Sequence, residues 1–415
     1  MRVGLGTLLA QSIAMAASPV LTRVFNADEF GFFGAFISIQ GILFVLFTAK
    51  YDGAIIVAKT PAGAVNALVL ALLIAGAFTI ATSLILLAYA CGAAWWRGSV
   101  PFNLNFCLLP LATFVATAFF SQNEWAIRQN RFDDLTLYRL VNATATAGAS
   151  LVLGLAGVTS GLVYGAMLGN LLASLLGVRA FSRGGRLLLD SVSWRRLKYT
   201  AIKHVSFPKY IVPAQLINAF AGSIPLLFMT YRFGLAEVGF LALADRMCSG
   251  PLSIIGSSIR DVFKREAVTR IRAQGNCRQL IRKITWLLAV LSVPPLLVLT
   301  AFGPTIFGLA FGAEWIEAGR YARVLSLAYA AAFLCIPTGC LFAITENQRL
   351  ELVWQAIFLV LMVLSVIIGL QMDHAYEYVV VLAILRAVAY LIHLALNYSL
   401  AGTAACRQLM TRRAS

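Results

Sequence analysis

The side chains that could do chemistry in this chain are few, and they lie inside long apolar runs. Asp245 and Arg246 stand side by side in the middle of one run, Arg386 lies well inside another, and Arg139 sits near the end of a third. A charged side chain at mid-bilayer costs about 2.5–3.5 kcal/mol on insertion scales, so each needs a partner, a wet cavity or a reachable surface. Three guanidiniums against one clear carboxylate leave a cationic excess. Arginine binds phosphate or pyrophosphate through paired hydrogen bonds, so the chemistry suggested is recognition of an anionic headgroup. The competing reading is that Asp245 and Arg246 neutralise neighbouring groups and fix helix packing, and that Arg139 snorkels to headgroups. Uncharged polar residues add to the set. Gln11, Ser18 and Thr22 share one face of the first run, Gln40 marks the second, and Gln215, Asn218 and Gly222 share a face of the seventh. His393, two turns beyond Arg386, reads as a residue satisfied within the bundle.

Catalytic patterns are missing. No zinc-type His pair, phosphate-binding loop or nucleophile elbow occurs. Asp133-Asp134 reads as a solvated helix cap, and the cysteines show neither metal-ligand spacing nor a disulfide framework. No metal or cofactor is expected, and any driving force comes from a gradient, another process or the substrate itself.

The elements that position these residues are transmembrane helices. The chain has 415 residues, of which 60% are hydrophobic and only 12% charged, about half the charge of a soluble domain. Its apolar runs reach the roughly 20 residues that span a bilayer. They are apolar on every side, as in Ala67 to Tyr89, which excludes the alternating strands of a barrel. About twelve spans are assigned, near 4–24, 29–49, 63–90, 104–122, 135–155 and 159–180, then 207–230, 235–257, 284–309, 323–344, 352–370 and 377–401. Met1 to Ser18 reads as the start of the first helix, not as a cleaved signal peptide. With the N-terminus inside, the cytoplasmic segments collect 25 of the 33 basic residues and the opposite side five. This is the positive-inside pattern of a multi-pass protein with both termini cytoplasmic. The net charge of +16 is thereby explained by loops resting on anionic lipid, without nucleic acid. The longest outer loop, from about Cys91 to Asn103 with Trp95 and Trp96, is too small for an extramembrane catalytic domain.

A repeat organises the spans. Glu29-Phe30-Gly31-Phe32-Phe33-Gly34 near the second span matches Glu237-Val238-Gly239-Phe240-Leu241-Ala242 near the eighth. Each copy follows a short outer turn after a proline-containing helix, with Pro19 in one case and Pro225 in the other. Six spans separate the copies, so the halves share one orientation and an axis along the membrane normal relates them. The expected organisation is an N-terminal six-helix lobe over 1–182, a basic cytoplasmic linker over 183–206 and a C-terminal six-helix lobe over 207–415. A polar central cavity lies between the lobes, and their rocking gives alternating access. Gly161, Gly165 and Gly169 form a small-residue strip of the kind that lets helices pack closely.

The run from Pro19 to Phe33, Pro-Val-Leu-Thr-Arg-Val-Phe-Asn-Ala-Asp-Glu-Phe-Gly-Phe-Phe, resembles the opening signature of polysaccharide-biosynthesis flippases, which export lipid-linked oligosaccharides as in O-antigen assembly. The segment from Gly239 to Gly256 is similar to the matching signature of their second half, and 131–157 is similar in pattern. The resemblance covers essentially the whole chain, although the very short N-terminus departs from it. It implies the fold shared with multidrug and toxin extruders and with the lipid II flippase: an all-α polytopic membrane protein. It also implies a bacterial inner-membrane location, a lipid-linked oligosaccharide as substrate, and polysaccharide polymerases and glycosyltransferases as partners. A cationic cavity role carries over to Arg246 alone, which lies inside a matching motif. A cation-coupled multidrug antiporter on the same fold is the alternative, and it would favour several membrane carboxylates. A membrane enzyme acting on lipid-linked sugars is the third reading; it would need large outer loops.

Overall fold

The computed structural model describes residues 2–97, 104–184, 189–345 and 347–402, and these are helical with short turns between them. In chain order the helices are α1 (Arg2–Leu21), α2 (Ala27–Thr48), α3 (Tyr51–Val57), α4 (Pro61–Arg97), α5 (Leu109–Arg128), α6 (Phe132–Leu155), α7 (Gly161–Gly184) and α8 (Trp194–Lys203). They continue with α9 (Val212–Arg232), α10 (Leu235–Gln274), α11 (Arg278–Phe311), α12 (Ile316–Cys335), α13 (Leu341–Ile344), α14 (Gln348–Gly369) and α15 (Ala375–Leu400). Lipid cannot hydrogen-bond the backbone, so apolar runs of this length close their own bonds as helices. Among the described residues ten helices are long and apolar enough to cross a membrane. Two expected crossings fall short of that measure. Gly6–Leu21 is apolar but shorter, and α6, which carries Asp133, Asp134 and Arg139, is not among the ten. The tip of the outer loop at 98–103, part of the linker at 185–188 and the tail beyond Gly402 lie outside the described residues.

The packing divides into two compact units, one made of 1–25 and 32–223 and the other of 26–31 and 224–415. In the first, α6 is clasped by α1 and α7, and α4 packs on α5 and α3. The expected small-residue strip is where α7 meets α6. A Cβ at Gly165 or Gly169 would overlap Ser150 or Thr146 of α6. In the second unit α12 is the central helix and touches α10, α11 and α15, while α14 packs on α15.

The repeat motif has a physical function at the start of α2. Asn26 Oδ1 accepts from the Glu29 amide at 2.9 Å, and Glu29 Oε2 accepts from the Asn26 amide at 2.9 Å. This reciprocal box satisfies two free donors at the helix end. Glu29 thereby fixes the turn that brings Gly31 against α10. A Cβ on Gly31 would strike the Leu235 carbonyl and come 3.1 Å from the Gly239 amide nitrogen. A Cβ on Gly239 would strike the Ala27 carbonyl and come 3.1 Å from the Gly31 amide nitrogen. The two copies of the motif therefore meet each other, backbone to backbone, inside the second unit. Phe30 and Phe240 flank the crossing and both pack edge-on against Trp315, at 4.9 and 5.8 Å between ring centres.

Candidate substrate site

The expected chemistry is built from α10, α12 and α15. α10 carries Asp245 into the second unit, where it meets side chains from two other helices. Arg386 Nη1 of α15 donates to Asp245 Oδ1 at 3.0 Å and Oδ2 at 3.4 Å. The Tyr329 hydroxyl of α12 donates to Asp245 Oδ1 at 2.9 Å. Arg386 is only 9% exposed. A buried charge is tolerated when it is paired and its remaining hydrogen-bonding groups are met, and here one carboxylate answers a guanidinium and a phenol. The pair is neutral, so Arg386 is committed to Asp245 and does not add to a cationic excess.

Arg246 takes a different direction. One residue along a helix turns about 100°, so Arg246 leaves the face that carries Asp245, and it is half-buried. Arg139 belongs to the first unit, where its guanidinium donates to Thr7 Oγ1 of α1. Gln11 and Gln40 are half-buried on α1 and α2, while Gln215 and Asn218 are exposed on α9. Of the eight residues, the structure thus brings Asp245 and Arg386 into direct contact.

Three participants were not anticipated. Glu124 is half-buried on α5 and lies within electrostatic range of Asp52, Lys50 and Arg139. The expected fourth span stops at 122, whereas α5 runs on to Arg128, and a longer apolar helix would have flagged it. Tyr329 has no role in the sequence reading, yet it serves as a donor to Asp245. Glu237, in the second copy of the repeat, accepts a hydrogen bond from the buried Tyr321 hydroxyl of α12. His393 is held by ring stacking, 4.2 Å from Trp354 and 5.3 Å from Phe342, in line with a packing role.

The Arg139–Thr7 bond ties α6 to α1. Thr7→Val keeps the shape and removes the acceptor, and should lower stability by about 1 kcal/mol, the scale of one net hydrogen bond. Thermal unfolding of the purified protein in detergent reads this directly. An unchanged midpoint would show that the bond contributes nothing.

The fold is that of the transporters of the multidrug/oligosaccharidyl-lipid/polysaccharide type. An inward-facing multidrug resistance MATE family transporter of the MOP superfamily superposes with a TM-score of 0.65, covering 98% of this chain and 96% of that one at 14% identity. The lipid II flippase MurJ in an inward closed conformation gives 0.66, with 94% and 86% covered at 10% identity. A MOP superfamily transporter from Pyrococcus furiosus, described as having a binding pocket of reversed polarity, gives 0.57, with 95% and 94% covered at 14% identity. No curated protein matches in sequence. The model of the polysaccharide biosynthesis protein family matches residues 20–320, and the chain belongs to that family.

Proposed function

We propose that this protein is a flippase. It carries an undecaprenyl-diphosphate-linked oligosaccharide, a surface-polysaccharide repeat unit, from the cytoplasmic to the periplasmic leaflet of a bacterial inner membrane by alternating access. The observation that carries the reading is the family match over 20–320, on a fold to which the lipid II flippase also superposes. Arg246, inside the segment that resembles the family's second-half signature, supplies the cation for the diphosphate. Arg139, Gln11, Gln40, Gln215 and Asn218 offer the donors and acceptors that a sugar head needs. The Asp245–Arg386–Tyr329 cluster positions α10 and with it Arg246. No covalent step is required, and glycosyltransferases and a polymerase act before and after translocation.

Two measurements test this. In proteoliposomes with fluorescent lipid-linked oligosaccharide, Arg246→Ala should slow translocation roughly tenfold or more, the loss of one charge-assisted contact. A wild-type rate for Arg246→Ala removes its assigned role. An inside-negative potential favours outward movement of negative charge by about 2.3 kcal/mol per charge per 100 mV. Collapse of the potential with valinomycin and potassium should therefore slow export, and a rate indifferent to potential removes the electrogenic part.

The cation-coupled antiporter gains one observation: Glu124 joins Asp245 as a carboxylate within a candidate span. Proton-driven uptake of a cationic dye by the wild-type protein in proteoliposomes would favour that reading over the flippase.

A further inference from the structure

In the second unit α12 packs along both α10 and α11, while α10 and α11 scarcely touch each other. The result is a wedge with α12 as its floor. Prolines stand on both sides of the gap, Pro251 on α10 and Pro295 on α11. Proline removes a helical hydrogen bond and bends the helix away from straight packing. The wedge contains a cavity of about 370 Å³, within the roughly 300–1,000 Å³ of small-molecule sites. Its walls include Met247, Leu252, Leu296, Leu299 and Phe333.

The hydroxyls on these walls are committed elsewhere. Ser292 donates to the Ala289 carbonyl at 2.8 Å and Ser326 to the Arg323 carbonyl at 2.6 Å, both on their own helices. The Tyr329 hydroxyl is taken by Asp245. A sugar or a hydrated ion would find little to bond, whereas a hydrocarbon chain would lose nothing by entering. Ile255 and Leu291, at the lips, are 46% and 47% exposed, so the wedge opens sideways from the helices within their apolar stretch.

A second cavity, about 400 Å³, shares Leu252, Tyr329 and Phe333 with the first and continues along α10 past Ser253 and Gly256 to Arg260. The apolar run of α10, expected from the sequence over 235–257, gives way to charged residues from Arg260 onward, and Arg260 is exposed. The order is thus apolar slot within the span, then cation just beyond its end. That order complements an amphipathic anion with one chain.

We propose that the wedge between α10 and α11 binds the isoprenoid chain of a polyprenyl phosphate, with the phosphate at Arg260. An apolar slot with a cation at its end suits a hydrocarbon chain that carries an anionic head, which is the form of the carrier lipid in the flippase reading. The proposal rests on the flippase reading, for which it names a seat for the carrier lipid. It also places the chain against Tyr329, the residue that links this wedge to the Asp245–Arg386 pair.

Full-length protein in phosphatidylethanolamine nanodiscs, irradiated with benzophenone-tagged geranylgeranyl phosphate, should be labelled on peptides of α10, α11 and α12. Undecaprenyl phosphate should compete, and dioleoyl phosphatidylglycerol at the same concentration should not. Ala330→Trp fills the floor of the wedge and should lower labelling roughly tenfold or more. Arg260→Gln alters an exposed residue and keeps the test alive if the tryptophan variant does not fold; it should weaken capture about fivefold. Labelling confined to other helices, unchanged labelling in Arg260→Gln, or equal competition by phosphatidylglycerol overturns the proposal. Labelling that survives in a protein unable to flip lipid-linked oligosaccharide leaves the wedge standing and removes the flippase reading. Wild-type flipping by a variant that no longer captures the probe does the opposite.

Discussion

Alanine at Gly31 or at Gly239 is expected to lower the unfolding midpoint sharply or to abolish recovery of folded protein. The added methyl at either site meets backbone of the facing helix, the Leu235 carbonyl in one case and the Ala27 carbonyl in the other. Neither obstacle can rotate away as a side chain would. The helices must separate, and Phe30 and Phe240 then lose their edge contacts with Trp315. Overpacking costs about 1–3 kcal/mol where side chains can adjust, and a rigid backbone places this site at the upper end or beyond. Alanine returns about 1 kcal/mol of helix propensity, which is too little to compensate. Gly41 and Gly148 are internal controls, since a Cβ at either meets nothing within 4 Å. Alanine there should be neutral or slightly stabilising. Because both methyls push the same two helices apart, the double variant should cost less than the sum of the singles. Thermal unfolding of the purified protein in detergent gives the midpoints to be compared. A Gly31→Ala midpoint at or above that of Gly148→Ala would refute this account.

The same crossing marks what could be read from the sequence. Apolar runs too long and too uniform for strands dictated helices, and the described residues of those runs are helical, although the run expected over 323–344 breaks after Cys335 and resumes at Leu341. The six-residue repeat at half-chain spacing pointed to equivalent places, and those places touch reciprocally, Gly31 on Leu235 and Gly239 on Ala27. What the sequence hides is any contact between residues far apart in the chain. Asp245 lies next to Arg246 in sequence, yet a helix sends neighbours to different faces. Its partner is Arg386, on another helix and recognisable only once α10 and α15 both pack on α12. Tyr329 was hidden for the same reason. Glu124 was hidden by a boundary, because α5 persists beyond the apolar run into residues that look like a loop. The polar face of the seventh span was legible from periodicity: Gln215 and Asn218 lie three residues apart on α9, and both are exposed.

The Asp245–Arg386 pair carries the second large effect. Replacing Asp245 by asparagine leaves a buried guanidinium without its counter-charge, and Arg386→Met leaves the carboxylate with the Tyr329 hydroxyl alone. Breaking one side of a buried pair typically costs about 3–5 kcal/mol, whereas replacing both sides can be close to neutral. Each single variant should therefore unfold far more easily than wild type, and Asp245→Asn/Arg386→Met should recover most of the loss. The exposed pair Arg320–Glu317, at 2.9 Å, supplies the contrast: Arg320→Gln should change stability by about 0–1 kcal/mol. Stability alone does not say what the pair does for transport, but the double variant does. If Arg386 only anchors α15 to α10, restoring stability restores translocation, because Arg246 is again correctly placed. If Arg386 also leaves Asp245 to hold the anionic head during the cycle, the double variant is stable and slow. Single variants no less stable than Arg320→Gln would mean that the contact is incidental to the fold, and the positioning of Arg246 would then need another cause.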